Sequence, residues 1–146
     1  MIELRPISAT DAEVLSNMYN MSLEDVDKLT EHSNTELFED KYFKMFAVLN
    51  GEICVGTVSL YEHSAFVVSI GPDIFKEYRQ RGYATDAMKA AMDIARSAGY
   101  KIVFQQIRTN NNASLKLHTK LGFEAYDCIF RNRNDNEVRI YLKSLL

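Results

Sequence analysis

The spacing of apolar residues changes at Tyr83, and this change constrains the fold more than any other feature of the sequence. Before it, short runs rich in Val, Ile and Phe are typical of strands. After it, small and apolar residues recur every three to four positions, which predicts a helix. The residues on that helical face are Ala84, Ala87, Met88, Ala91, Ala95 and Ala98, and Gly99 supplies the stop.

The other predicted elements give a mixed order of strands and helices. A strand over 2–7, at a sheet edge because of Pro6, precedes helices over 11–15 and 22–29. Strands over 45–49 and 53–60 flank the hairpin turn Asn50-Gly51, and a third strand runs from 65 past Pro72 towards Phe75. A strand over 102–108, a helix over 111–121 and strands over 123–130 and 138–142 complete the chain, while 31–42 has no assignment. This order predicts an α/β fold of the α+β type, with helices packed on a mixed sheet.

Length and composition bound the class of protein. With 146 residues, 47% of them hydrophobic and no linker or repeat, the chain is expected to form a single domain over 1–146. It has no apolar run long enough to cross a bilayer and no signal-peptide pattern at its start, which predicts a cytoplasmic protein without a membrane partner. Cys54 and Cys128 stand beside apolar residues and are expected to be reduced core residues. The three histidines stand alone in sequence, so no metal site is predicted.

The charge is distributed unevenly along the chain. A net charge of −3 opposes general nucleic-acid binding, which needs a basic surface. Residues 1–75 carry 13 acidic and 4 basic side chains, whereas residues 76–146 carry 7 acidic and 13 basic ones. One half could therefore meet a cationic ligand and the other an anionic one, or both could be ordinary solvated surface.

A basic turn precedes the alanine-rich helix, with the sequence Arg79-Gln80-Arg81-Gly82-Tyr83-Ala84. A helix start exposes backbone N–H groups and the positive end of the helix dipole, both of which suit phosphate oxygens. Gly82 lets a ligand approach the backbone closely, and the two arginines add positive charge. The turn lacks the lysine and hydroxyl residue of a P-loop and the further glycines of a Rossmann fingerprint. By itself it fits either a phosphate site or an ordinary helix start.

Two blocks of sequence resemble the GNAT superfamily of N-acetyltransferases. The run from Ser69 to Thr85 is similar to its acetyl-CoA motif, a strand followed by Q/R-x-x-G-x-G/A and a helix. The run from Arg108 to Phe123 is similar to its later segment, N-x-x-A/S-x-x-L-Y-x-K-x-G-F. The resemblance implies a mostly antiparallel central sheet flanked by helices, and direct transfer of an acetyl group from acetyl-CoA to a primary amine.

The resemblance also implies where acetyl-CoA binds. Backbone groups of the strand end would bond the pantetheine arm, and N–H groups of the basic turn would hold the pyrophosphate. The implied cofactor-binding residues are Asp73, Ile74, Phe75, Arg79, Gln80, Arg81, Gly82, Tyr83, Ala84, Thr85, Asn111 and Ser114. Pro72 has no N–H to offer, which matters only if its position faces the ligand. Asn111 is also expected to cap a helix.

The groups that move protons depart from the family pattern. Many similar enzymes use a tyrosine as general acid where this chain has His118, which could donate as imidazolium, steady the sulfur as neutral imidazole, or be a half-buried polar residue. Some place a glutamate on the preceding strand, where this chain has Gln106. The candidates for the general base are therefore Asp73, Glu62 and a water relay.

The acceptor is predicted from charge alone. Residues 11–40 contain nine acidic side chains and the single base Lys28, which favours a cationic acceptor such as a polyamine, an aminoglycoside-like amine or a protein amine. A catalytically silent acyl-CoA-binding or regulatory module is the alternative. The apolar end of the chain, 140–146, could form a homodimer contact or close the sheet.

Overall fold

The computed structural model describes residues 2–35 and 41–146. The elements are β1 (Ile2–Pro6), α1 (Ala12–Tyr19), α2 (Leu23–Thr35), β2 (Phe43–Asn50), β3 (Ile53–Ser64), β4 (Val67–Ile74), α3 (Tyr83–Ser97), β5 (Ile102–Arg108), α4 (Asn112–Lys120), β6 (Glu124–Arg131) and β7 (Glu137–Ser144). This order and the mixed, mostly antiparallel architecture confirm the predicted fold class. The hairpin at Gly51, where φ is 64°, is also confirmed.

In the described part of the chain, seven strands form one sheet in the order β1-β2-β3-β4-β5-β7-β6. Neighbouring strands are antiparallel except β4 and β5, which are parallel. Their ladder pairs Val67 with Ile102 and Val68 with Val103, and it ends there although both strands continue. The two strands therefore diverge, and the sheet opens between them.

Each face of the sheet carries its own core. The core on the α3 side contains Leu60, Val68 and Ile70 of the sheet with Met88 of α3, whereas the core towards α1 and α2 contains Phe75. Side chains alternate between faces along a strand, so Ile74 at the end of β4 and Phe75 directly after it contribute to opposite cores. The opening between β4 and β5 consequently connects two differently lined sides of the protein.

Three expectations need correction. Residues 31–35, left unassigned by the sequence, continue α2. Cys128 is exposed because all residues of β6, the last strand of the sheet, are exposed, while Cys54 is half-buried. Ala98 is exposed at the end of α3.

The C-terminal segment packs within the chain. Tyr141 and Leu145 are buried, and the Leu145 N–H donates to Lys101 O at 2.8 Å, so these residues close the sheet; Leu146 is exposed. Among residues 2–35 and 41–146, none of the helices has the length and apolar run needed to span a lipid bilayer.

Candidate functional site

The start of α3 presents unpaired N–H groups to open space. The first helical hydrogen bond runs from Asp86 N–H to Gly82 O at 3.2 Å, so the N–H groups of residues 82–85 have no acceptor within the helix. Gln80 and Gly82 both have positive φ, 64° and 81°, which turns the chain sharply before the helix. A Cβ at Gly82 would meet nothing within 4 Å. This geometry suits an anion at the helix N-terminus.

The two arginines of the turn have different positions. Arg79 Nε donates to Ile74 O at 2.8 Å, and its Nη2 lies 3.9 Å from Asp73 Oδ1, so it ties the turn to the end of β4. Arg81 lies over the Tyr78 ring at 5.7 Å and donates to Glu77 O at 3.4 Å. Arg79 lines the cavity described next, and Arg81 does not.

A cavity of about 700 Å³ lies between the start of α3, the end of β4 and α4; we call it the α3–α4 cavity. Its lining residues are Pro72, Asp73, Ile74, Tyr78, Arg79, Gln80, Gly82, Tyr83, Ala84, Thr85, Asn111, Ala113, Ser114, Lys116, Leu117 and Lys120. It thus gathers all the predicted cofactor-binding residues except Phe75 and Arg81. Asn111 also caps α4, since its Oδ1 accepts the Ser114 N–H at 3.1 Å.

Lys116 and Lys120 are lining residues that sequence reasoning missed. They lie one turn apart on α4, where like charges repel each other in the absence of an anion. Among the described residues neither forms an ion pair. With Arg79 they surround the cavity with positive charge, and their spacing in the second sequence block was the signal that could have identified them.

The hydrogen bonds of β4 and of Phe75, the residue after it, determine which backbone groups face the opening between β4 and β5. Phe75 is buried, its N–H donates to Val55 O and its C=O accepts the Tyr78 N–H, both at 2.9 Å, so its backbone is fully used within the protein. Because hydrogen-bonding directions alternate along a strand, the backbone groups of Ile74 and Pro72 face away from β3. Ile74 therefore presents its N–H to the opening, whereas Pro72 has no N–H to present.

A buried side-chain amide spans the gap where β4 and β5 begin to diverge. Gln105 Oε1 accepts the Ile70 N–H at 3.1 Å, and Gln105 Nε2 donates to Ile70 O at 2.6 Å. The second Nε2 hydrogen faces His118 Nε2 at 3.1 Å. The backbone of Ile70 fixes the orientation of the amide, because its N–H needs the oxygen and its C=O needs the nitrogen. Gln105 therefore replaces one rung of the missing ladder.

His118 is buried rather than half-buried, with 3% of its surface exposed. Its Nδ1 donates to Ser114 O at 2.8 Å, so Nε2 is the acceptor for Gln105. Burial lowers the pKa of His118, and the hydrogen bond to Ser114 offsets only part of that effect. Both ring nitrogens are occupied and the neutral form is favoured, an arrangement that suits a positioning residue better than a proton donor.

A second cavity, of about 430 Å³, opens where the strands diverge; we call it the splay cavity. Its lining residues are Tyr61, His63, Ser69, Ile70, Gly71, Pro72, Phe104, Gln105, Gln106, Ile107, Ser114 and His118. Pro72 and Ser114 line both cavities, so the two meet between β4 and β5. Sequence reasoning missed Tyr61, His63 and Ser69, because nothing in their spacing indicates that they meet.

The two predicted base candidates are separated by the fold. Asp73 lines the α3–α4 cavity and pairs with Thr57 in the sheet, and Thr57 Oγ1 lies 2.8 Å from Tyr19 Oη. Burial, with a smaller contribution from Asp73, raises the pKa of Tyr19. Glu62 lines neither cavity.

The Glu62 carboxylate is engaged elsewhere. Its Oε2 accepts the Tyr42 N–H at 2.8 Å. Burial and, secondly, the charge of Glu62 raise the pKa of Tyr100 to about 12. Tyr100 lies in the core on the α3 face and Tyr42 packs against it, whereas Glu62 is not among the residues that line the splay cavity.

Comparison with known proteins adds the family context. A family model described as "Acetyltransferase (GNAT) domain" matches residues 2–124. No curated protein sequence matches the chain significantly.

Several solved structures share the fold. A ribosomal alpha-N-protein acetyltransferase in complex with coenzyme A has a TM-score of 0.86 at 18% identity, covering 99% of this chain and 94% of that one. A spermidine N-acetyltransferase from Vibrio cholerae, in complex with CoA and spermine, has a TM-score of 0.83 at 16% identity, with 99% and 95% covered. A microcin self-immunity acetyltransferase in complex with acetyl-CoA and AMP has a TM-score of 0.82 at 18% identity, with 98% and 92% covered.

Proposed function

The chain belongs to the GNAT acetyltransferase family, and from this premise we propose that it transfers the acetyl group of acetyl-CoA directly to a cationic primary amine. As a member of this family it is an N-acetyltransferase. The observation that carries the proposal is the meeting of two cavities between β4 and β5. One has the anion-binding features of the α3 turn, and the other has polar side chains on the far side of the sheet.

The α3–α4 cavity fits acetyl-CoA as co-substrate. Its volume lies within the range of small-molecule sites. The N–H groups at the start of α3, with Arg79, Lys116 and Lys120, supply donors and charge for the pyrophosphate. The Ile74 N–H and the carbonyls at the edge of β4 supply strand-like partners for the amide groups of the pantetheine arm. The thioester would then reach the splay cavity beside Gly71.

A cationic acceptor is supported by the surface of α1 and α2. Five exposed carboxylates lie there, on Glu13, Glu24, Asp25, Asp27 and Glu31. Asp11 does not contribute, because it is buried in an ion pair with Arg5 at 2.8 Å. The acidic residues 36, 39 and 40 lie outside the described residues. Spermine in the complex of the Vibrio cholerae enzyme makes polyamines the first acceptors to test.

The cofactor site is tested by two matched glycine variants. Gly82 and Gly99 flank α3, both have positive φ (81° and 98°), and a Cβ at either would meet nothing within 4 Å. Gly82→Glu and Gly99→Glu therefore impose similar backbone strain, about 1–2 kcal/mol. Only the first adds a carboxylate at the phosphate site, so it should weaken acetyl-CoA binding about 100-fold or more, while the second leaves it within about 2-fold. Calorimetric titration measures both, and equal binding by the two variants would contradict the assignment.

Transfer itself is tested by thiol release from acetyl-CoA. The amine panel contains spermidine and spermine, an aminoglycoside-like amine and a peptide with a free N-terminus. Turnover with any of them supports the proposal and orders the acceptor classes. Calorimetric binding of acetyl-CoA without thiol release across the panel would favour the alternative of a regulatory module.

A further inference from the structure

His63 occupies a β-bulge beside the splay cavity. In the register of β3 with β4, Glu62 pairs with Val68 and Ser64 with Val67, so His63 is the extra residue between them. Bulges redirect side chains and are frequent next to active sites. Here the bulge brings the imidazole to the lining of the same cavity that holds Gly71 and Gln106.

A hydrogen-bond chain determines the tautomer of this ring. Ser69 Oγ donates its single hydrogen to Phe104 O on β5. It must therefore accept from His63 Nε2, which lies 2.6 Å away. The proton of the neutral imidazole is thus on Nε2, and Nδ1 carries the lone pair.

The ring is held in place while Nδ1 stays open. The Phe104 ring contacts the imidazole edge-on, with the ring centroids 5.4 Å apart. Among the described residues, His63 Nδ1 has no hydrogen-bond partner, in contrast to both nitrogens of His118. A basic nitrogen with a fixed direction and no internal partner can take a proton from a ligand.

The surroundings of His63 favour its neutral form. Lys41, from the segment before β2, donates from Nζ to His63 O at 3.1 Å. The neighbouring Glu62 carboxylate is turned to the Tyr42 N–H, and Ser69 of β4 and Phe104 of β5 carry no charge. Although His63 is exposed, partial desolvation of its ring, and secondly the charge of Lys41, lower the pKa of His63.

We propose that His63 is the general base of the acetyl transfer, oriented by Ser69 and Phe104 O. The assignment rests on the proposed function, since it needs an amine in the splay cavity. His63 thereby takes the role of base that two other residues cannot take. The Gln106 amide cannot accept a proton usefully, and Glu62 does not line the splay cavity.

The proton balance is simple. The acceptor ammonium gives one proton to His63 Nδ1, and the freed nitrogen lone pair bonds to the acetyl carbonyl carbon. The carbon–sulfur bond breaks, and its electron pair leaves with the sulfur. A second proton from the acceptor nitrogen goes to the thiolate, and His63 returns its proton to solvent. The products are the acetylated amine, coenzyme A thiol and one proton.

The decisive experiment compares His63→Gln, His63→Ala and the control His32→Gln, with the acceptor that the panel identifies. His63→Gln keeps an N–H donor for Ser69 but cannot titrate. It should lower kcat about 100-fold, abolish the acid limb of the pH–rate profile and leave calorimetric acetyl-CoA binding unchanged. Added imidazole should restore part of the activity of His63→Ala, a response that a merely structural histidine would not give. His32→Gln should behave as the parent.

A readout independent of activity is the NMR titration of the imidazole in the parent protein. It should show the Nε2–H tautomer and a pKa below the ordinary value, and Ser69→Ala should weaken that tautomer preference. An active parent whose His63→Gln variant keeps kcat within about 2-fold and keeps its acid limb overturns the assignment. A parent that acetylates no amine would instead mean that the proposed function fails, which separates the two outcomes.

Discussion

The two histidines beside the diverging strands differ in what their ring nitrogens do. His118, the buried residue of α4, uses both nitrogens on protein atoms, Gln105 Nε2 and Ser114 O. His63, at a bulge on the other side of the opening, uses one nitrogen on Ser69, and its other nitrogen has no partner among residues 2–35 and 41–146. A closed hydrogen-bond network fixes shape, whereas an open basic nitrogen offers chemistry. His118, which stands where the family motif has a tyrosine, belongs to the closed network, and its role in proton transfer stays a prediction.

The largest effect, on the free energy of unfolding, is expected from removing the Gln105 amide that bonds Ile70 and His118. Gln105→Leu leaves the Ile70 N–H and C=O and His118 Nε2 without their partner, and should lower the free energy of unfolding by about 2–4 kcal/mol. Gln106→Leu, at the exposed neighbouring residue on the opposite face, should change it by less than about 0.5 kcal/mol. Urea unfolding at pH 7.5 measures both. Similar values for the two variants would mean that the amide bridge contributes little.

An intermediate effect concerns stability against pH. Because the pKa values of His63 and His118 are lowered in the folded protein, these two residues bind more protons in the unfolded chain below about pH 6.5. The free energy of unfolding should therefore be constant above that pH and fall as the pH drops towards the lowered pKa values. His118→Leu should flatten this acid loss more than His63→Gln, since His118 is the more buried ring. Urea unfolding at pH 7.5 and 5.5 tests the order, and the reverse order would contradict it.

The smallest effect is expected for a change in the pKa of His63. Lys41→Met removes the charge that helps to lower the pKa of His63, so the acid limb of the pH–rate profile should move to higher pH. The shift should shrink in high salt, because Lys41 is exposed and its field is screened. Lys28→Met, on α2, serves as control. An acid limb that moves equally in both variants would show that general surface charge, and not Lys41, sets it.

The features that the sequence predicted are those that depend on local backbone geometry. The hairpin at Gly51, the helix after Gly82 and the cap at Asn111 all follow from residue types at fixed short spacing, and all are confirmed. The cofactor-binding residues come from the same two blocks, and most of them line one cavity, though their role stays a prediction.

The features that the sequence did not predict depend on contacts between residues far apart in the chain. His63, Ser69 and Phe104 come together through a bulge in β3 and the pairing of three strands, and no local pattern encodes that meeting. The same limit explains Glu62, whose position on β3 was predicted but whose carboxylate turns to Tyr42. The positive φ of Gln80 was also invisible, because glutamine rarely adopts it.

The short ladder between β4 and β5 also has a mechanical consequence. Within the described residues, two ladder pairs, the Gln105 amide and the hydrogen bond from the Ser69 hydroxyl to Phe104 O join β4 to β5. They link the half-sheet β1–β4 to the half-sheet of β5, β7 and β6. A stretching force applied across this seam would separate the halves there first. A ligand hydrogen-bonded to β4 and held by α4 would cross the same seam, so the rupture force should rise when the site is filled.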